Sequence, residues 1–363
     1  MTEPFQLVDI PPIDSPDNEH GWKYEAVHRL ITANRLASQG NTDLVASVQS
    51  LIADRASQLY QDQQWVLAVR GPEDAPEELG WAWVGFTIHE DLDKAQLQVS
   101  VHPEMRRQGI GSALLAWGEA LISQTTRTLM FGGAVYEDKA DHEPYFTTPE
   151  GSTVPTTAPS VTFSINRGYE IAQAERRSVL DVPMDPALTT QLMEQTLPHT
   201  AGYRLHTWSN TIPQEWKEPF ARLKEEYSTD VPQGALQFEQ EHWNPDRVDQ
   251  MVREILDQGN LFVMTAAEHI ATGELAGFTE FRWPAQPGEA AEQWFTVVLR
   301  EHRGHRLGMW MKLVNLSELI RRHPEIRRIH TDNAQENAHM LAINIAMGFR
   351  PNGGTALMVK HLS

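Results

Sequence analysis

Apolar and polar positions along this chain run twice through one series of period-two and helical patterns. The first pass opens with helical stretches at about Glu25–Asn34 and Thr42–Tyr60. Strand patterns follow at Trp65–Val69, at Leu79–Ile88 with Trp81 and Trp83 on one face, and at Ala95–Val101. After Gly111, Leu114, Leu115, Trp117 and Leu121 recur at helical spacing. A strand at Thr128–Val135 leads to a Thr-, Pro-, Glu- and Asp-rich stretch, Tyr136–Pro159, that reads as a long loop. A short helix ending at Gly168, a residue suited to a left-handed helix end, precedes a strand at Tyr169–Val182.

The second pass repeats this order. Strand and helix patterns lie at Tyr203–Trp208 and Pro213–Tyr227. Strands follow at Leu261–Ala267, Leu275–Trp283 and Gln293–Leu299, then a helix to Arg321. The strand Arg328–Thr331, a helix at about Gln335–Met347 and a strand near Ala356–His361 complete it. These patterns predict an α/β chain with a mixed sheet, in two domains: residues 1–183 and 201–363, joined by a linker at 184–200 that starts with Pro183-Met-Asp-Pro186.

The strongest local likeness between the passes is a strand–turn–helix segment. The first copy runs from Val99 and Val101 through Arg106-Arg107-Gln108-Gly109-Ile110-Gly111-Ser112. The second runs from Val297 and Val298 through Arg303-Gly304-His305-Arg306-Leu307-Gly308. Arg106 and Arg303 lie 197 positions apart. Gly168-Tyr169 and Gly348-Phe349 lie 180 apart, so the first half holds 17 extra residues, placed in the Tyr136–Pro159 stretch. A turn of Arg and Gly that opens a helix suits an anion. Free N–H groups and the helix dipole point at it, glycine allows close approach, and arginine adds charge-assisted hydrogen bonds.

This pattern resembles the Arg/Gln-x-x-Gly-x-Gly/Ala signature of the GNAT superfamily of acyl-CoA-dependent N-acetyltransferases, most like bacterial tandem acetyltransferases of the mycothiol-synthase type. Arg106, Gly109 and Gly111 match it fully, whereas Arg306 stands where the second copy should carry glycine. The resemblance implies two tandem GNAT domains, each a twisted sheet whose fourth and fifth strands splay apart for acetyl-CoA. It implies that the loop residues hold the pyrophosphate and that the strands at Val99–Val101 and Val297–Val298 pair with the pantetheine arm. Thr331-Asp-Asn333 and Asn337 resemble the Thr-x-Asn-x-x-x-Asn segment that faces the cofactor; Asn333 also reads as a helix N-cap. Many members carry a tyrosine four residues before the Gly of the Gly-Phe pair, aimed at the cofactor sulfur. Here Ser164 and Asn344 occupy those places, and Asn344 is a hydrogen-bond donor to sulfur or an ordinary polar helix residue. Tyr227 is another phenol to place.

Family bases are often carboxylates on or beside the strand entering the loop. Glu292 stands there in the second half, with Ala95 at the same count in the first; the alternative for Glu292 is a solvated loop carboxylate, the more common fate of Glu. Glu280, Glu239 and Glu241 are further candidates for an amine pocket. The implied activity is acetyl transfer from acetyl-CoA to a primary amine of a small molecule, by direct attack in a ternary complex, with the second half the more complete catalytic unit and the first either binding acetyl-CoA without turnover or structural. The alternative is a non-catalytic acetyl-CoA sensor or scaffold.

Composition narrows this. The chain has 363 residues, 40% hydrophobic and 22% charged, enough for packed cores. Its net charge of −19 disfavours nucleic acid and anionic membrane and favours cationic acceptors, besides aiding solubility. Zero cysteines exclude thiolate nucleophiles, disulfides and cysteine zinc sites, and fit a cytoplasmic setting. No P-loop or nucleophile elbow occurs, and His302 and His305 lack the partners of a metal site, so no metal is expected. No apolar run is long enough to span a membrane, and Met1–Gln6 does not read as a secretory signal.

Overall fold

The computed structural model describes residues 4–57, 61–72, 75–137, 144–149, 151–228 and 238–362. The first half contains β1 (Gln6–Ile10), α1 (Gly21–Gln39), α2 (Val48–Ala56), β2 (Gln61–Arg70), β3 (Glu77–Thr87), β4 (Lys94–Val101), α3 (Ile110–Ile122) and β5 (Leu129–Tyr136). A short hairpin, β6 (Tyr145–Thr147) and β7 (Thr153–Pro155), then leads to α4 (Pro159–Ile165) and β8 (Glu170–Asp181). After α5 (Pro186–Thr196) come β9 (Tyr203–Ser209), α6 (Gln214–Ser228), α7 (Pro245–Asp257), β10 (Asn260–His269), β11 (Glu274–Pro284) and β12 (Ala290–Val298). The chain finishes with α8 (Leu307–Arg322), β13 (Arg328–Ala334), α9 (Ala338–Met347) and β14 (Arg350–His361).

The α/β expectation holds, with differences that have local causes. The linker is largely helical: Asp185 caps α5 through the Ala187 N–H, and Pro186 sits at its first turn. In α7, capped by Asn244, the buried residues Val248, Met251 and Ile255 form one apolar face. Neither α7 nor β1 stands among the expected elements. The second helical stretch is shorter than expected, and its expected end at Tyr60 lies outside the described residues. The expected long loop contains the β6–β7 hairpin, which docks on the second half. The Ser152 hydroxyl bonds to Glu336, and Gln335 bonds to both backbone groups of Thr153.

Twelve strands form one sheet in the order β1-β2-β3-β4-β5-β14-β8-β13-β12-β11-β10-β9. In the first half α1 and α2 cover one face, packing on Trp65, Leu67 and Trp81, and α3 covers the other over Val66, Ala68 and Ala82. The second half repeats this, with α6 and α7 over Phe262 and Phe278 and α8 over Val263 and Phe281.

The centre of the sheet is exchanged between the halves. β5 pairs with β14, the last strand of the second half, and β13 pairs with β8, the last strand of the first. β8 and β14 pair antiparallel with each other. Two arms cross over as well. The segment after α1 reaches the second half, where Asp43 accepts from Arg328 at 2.6 Å and contacts His330 Nε2 at 2.9 Å. The stretch before α7 and the first turn of that helix reach the first, through Glu239 to Asp91 and Arg247 to Glu90.

Candidate active site

Each half opens a wedge between two parallel strands. β4 and β5 pair only over Lys94–Gln96 and Leu129–Phe131; β12 and β13 pair only over Ala290–Glu292 and Arg328–His330. Beyond those residues the strands diverge toward the loops.

The loops have one geometry. Arg106 and Arg303 are extended, at φ −66° and −69°. Arg107 and Gly304 have positive φ, as do Gly109 and Arg306 two residues later. Each loop therefore needs two left-handed residues and supplies one glycine, at alternate places. Arg306 adopts the conformation that its missing glycine would have, φ 53° and ψ 21°. Its guanidinium turns to the Gln195 carbonyl at 3.3 Å. Arg303 Nε donates to the Val298 carbonyl, and Arg106 donates to Asn34. His305 is exposed beside the His199 carbonyl, whereas His302 packs with Tyr203 and His269 rather than standing free in solvent. Among the described residues no group of three or more His, Asp or Glu side chains could hold a metal ion. No helix there is long and apolar enough to cross a membrane.

The wedges differ. In the first, the Gln98 side chain bridges the gap and bonds to both the N–H and the carbonyl of Gly133 at 3.3 Å. Gly132 brings the strands close; a Cβ there would lie 2.2 Å from the Leu97 carbonyl oxygen. Phe163 packs 3.3 Å from the Cβ position of Gly111, and Arg167 covers that ring and donates to Ser112. Val99 and Val101 pack in the apolar core beneath Ile110.

In the second wedge a cavity of about 280 Å³ runs between the strands. Gln293 to Thr296, Thr331 to Ala334, Asn337, Met340, Lys312 and Tyr227 line it, together with Gln173 and Glu175 from β8 of the first half. Pairing with β11 slips by one residue here: Phe281 faces Gln293 but Glu280 faces Phe295, leaving Trp294 as the extra residue of a bulge. The first half has no such slip. With the bulge counted, the partner of Glu292 in the first half is Gln96, not Ala95, because Gln96 faces Phe131 as Glu292 faces His330. The carboxylate is thus replaced there by an amide, which accepts from Gln61. The Val297 side chain joins the α6–α7 core and Val298 the α8 side, so only their backbone is available to a ligand.

Glu292 lines a second cavity of about 140 Å³ beside the first, with Trp294 in the lining of both. Its walls include Ser47 and Ser50 from the first half and Gln258, Asn260 and Arg282 from the second. Burial and then the nearby Asp332 push the Glu292 carboxyl above the usual range, while Arg35 and a hydrogen bond from Trp294 oppose this. Glu280 is paired with Arg282, Glu241 accepts from the Trp243 indole at 2.6 Å, and Glu239 caps the turn at Asp91. None of these three lines either cavity.

Asn337, rather than Asn333, caps α9, accepting from the Met340 N–H. Asn344 is 1% exposed and donates to Asn333 at 2.7 Å. It positions Asn333 in the cavity wall without lining the cavity itself. Tyr227 does line it, 5.6 Å from the Phe295 ring, with its hydroxyl held well above the usual range by burial. Sequence reasoning passed over Lys312, fully buried on α8, although a lysine inside the apolar stripe of a helix was the available signal.

No protein-family model matches the sequence, and no curated protein matches it. Solved structures do share the fold. A tandem GNAT protein from the clavulanic acid biosynthesis pathway, solved without acetyl-CoA, superposes with a TM-score of 0.73 at 23% identity, over 99% of this chain and 98% of that one. A GCN5-related N-acetyltransferase from Sphaerobacter thermophilus gives 0.61 at 16% identity, over 99% and 97%. The chain therefore has the tandem GNAT fold.

Proposed function

We propose that this protein is an acetyl-CoA-dependent N-acetyltransferase whose second half is the catalytic unit, acting on a small cationic amine. The observation that carries this reading is the second wedge, open beside a bulge and next to a separate cavity that holds Glu292. The residues fit the cofactor. The N-terminus of α8 at Leu307–Gly308 and the turn from Arg303 suit the pyrophosphate. The side-chain amide oxygen of Gln293 in the cavity wall is buried without a partner, as expected of a wall built around a polar ligand. In the first half, Gln98, Phe163 and Arg167 close the corresponding space.

Bound acetyl-CoA supplies an activated acyl carbon. The chain supplies position, charge and proton transfer. Loop residues 303–308 anchor the phosphates, backbone at Val297–Val298 and the bulge holds the arm, and Asn333 and Asn337 border it. Glu292, in its carboxylate form, takes a proton from the acceptor nitrogen, directly or through one water. Asp54 and Glu254 stand near the acceptor cavity, with pKa values pushed to about 6 and about 7 by burial, and in Glu254 also by Asp54. Gln258 links the Asp54 carboxyl to the cavity wall. This acidic setting suits a cation and agrees with the net charge of −19.

Calorimetric titration of acetyl-CoA tests the reading. One site per chain is expected, lost in Gly308→Glu, which places a carboxylate against the phosphates. Thiol release against a panel of primary amines separates an enzyme from a sensor, since a sensor binds acetyl-CoA and frees no thiol.

A further inference from the structure

Lys312 has no ion pair or hydrogen bond to a protein group among the described residues, yet it is 1% exposed and lines the larger cavity. Its Nζ lies 5.5 Å from the centroid of the Phe349 ring, at the junction between α9 and β14. That junction also holds Asn344, whose backbone carbonyl accepts from the Phe349 N–H. The side-chain amide of Asn344 donates to Asn333, and an amide N–H is too weak an acid to give its proton to sulfur. Lys312 approaches the same end of the cavity from the opposite helix. In the first half, where the wedge is closed, the position 197 residues earlier is Leu115.

The geometry points to Lys312 as the group that delivers a proton to the departing sulfur of the acyl thioester, an assignment that rests on the acetyltransferase reading above. As the bond from acceptor nitrogen to acyl carbon forms, the carbon–sulfur bond breaks and its electron pair goes to sulfur. One N–H bond of the Lys312 ammonium breaks, an S–H bond forms, and Lys312 is left as the amine. The proton that Glu292 took from the acceptor returns through solvent to Lys312, so no further reactant is needed.

Burial alone brings the Lys312 ammonium down to about 7, which balances the two protonation states near neutrality. Its neighbours in the cavity wall, Gln293, Thr296, Thr331 and Asn333, are neutral; Glu175, Asp332 and Tyr227 are the titratable groups of that wall. Asp332 of β13 is paired across the strands with Arg177 of β8 at 3.3 Å, and no charged side chain contributes to the shift of Lys312.

The test uses free coenzyme A as ligand and reads the ultraviolet absorbance of its thiolate against pH. An ammonium beside the sulfur lowers the thiol pKa. At neutral pH, thiolate bound to the wild-type chain is expected to exceed that bound to Lys312→Met by about tenfold or more, corresponding to one pKa unit. Calorimetric affinity for coenzyme A is expected to stay within about threefold, since the anchoring loop is untouched. Should the methionine variant fail to fold, Lys312→Leu, the side chain that the first half carries, serves instead. Equal thiolate fractions in variant and wild type overturn the assignment while leaving the acetyltransferase reading intact. A wild-type chain that binds no coenzyme A overturns both, and the calorimetry identifies that case. With the best amine of the panel, the alkaline limb of the kcat profile is expected to vanish in the variant; its persistence also overturns the assignment.

Discussion

The two halves share a scaffold and differ in what fills the gap between their diverging strands. In the first, glutamines stand at the two decisive places: Gln98 bridges the wedge to Gly133, and Gln96 takes the place of a carboxylate. In the second, Phe295 and Glu292 occupy those places, and one inserted residue, Trp294, bends the strand. The phosphate-type loops hardly differ in backbone. The Gly motif is therefore a poor guide to which wedge is open, because the first half keeps the better loop motif and has the closed wedge. A site of this kind is decided by the strands behind the loop, where one bulge changes which side chains face the opening.

The largest effect is expected from giving the second half the amide of the first. Glu292→Gln lowers kcat by about a hundredfold to ten-thousandfold, the usual range for a lost general base, with acetyl-CoA affinity kept. The sign with pH follows from the raised carboxyl: wild-type activity climbs as pH rises through that pKa, and the variant loses this limb. A pH–rate profile beside calorimetry checks both. An unchanged profile removes Glu292 from the comparison.

Next comes the buried lysine that the first half lacks. The folded pKa of Lys312, about 7, lies below the ordinary value of 10.5, so between these pH values the unfolded chain binds more protons. Wild-type stability is expected to rise with pH across that window and to level off above it. Lys312→Met removes the slope and stabilises the chain near neutrality by a few kcal/mol, on the order set by burying an ammonium. Denaturant melts from pH 6 to pH 10 read this directly, and parallel curves for the two proteins count against it.

Smaller still is the exchange of glycines between loops. Arg306 holds φ 53° without a glycine, so Arg306→Gly is expected to stabilise by about 1 kcal/mol. Because the Arg306 guanidinium reaches the Gln195 carbonyl, acetyl-CoA affinity should stay unchanged. A marked drop in affinity shows instead that this arginine holds phosphate. The smallest effect belongs to Gln98→Ala, which removes the bridge to Gly133. One acetyl-CoA per chain is still expected by calorimetry, because Phe163 and Arg167 continue to cover the loop. Two sites would mean that one glutamine had silenced the first half.

Most strands and helices and both loops were legible in the sequence, since each rests on patterns a few residues long, whereas β1, α7 and the short β6–β7 hairpin were not. Strand partners were not, because apolar alternation in β8 or β14 marks a buried strand without naming its neighbour. The bulge at Trp294 was hidden for the same reason, and it misled the count that set Ala95 opposite Glu292. The helix α5 could have been read, since Asp185-Pro186 is a standard helix opening that its proline content disguised as linker. Placing Glu292 near a base position needed only a count, whereas Ser47 and Ser50 in its cavity came from more than 200 residues away and had no local signal.

The exchanged strands bear on how the chain is made. On the ribosome, an independent amino-terminal domain folds as soon as it emerges. Here β5 pairs with β4 early but lacks its second neighbour until β14 has been translated, so the first half waits with an open sheet edge throughout synthesis of the second. The same dependence ties the two halves to each other. With each sheet completed by the other's last strand, neither half closes its sheet without the other.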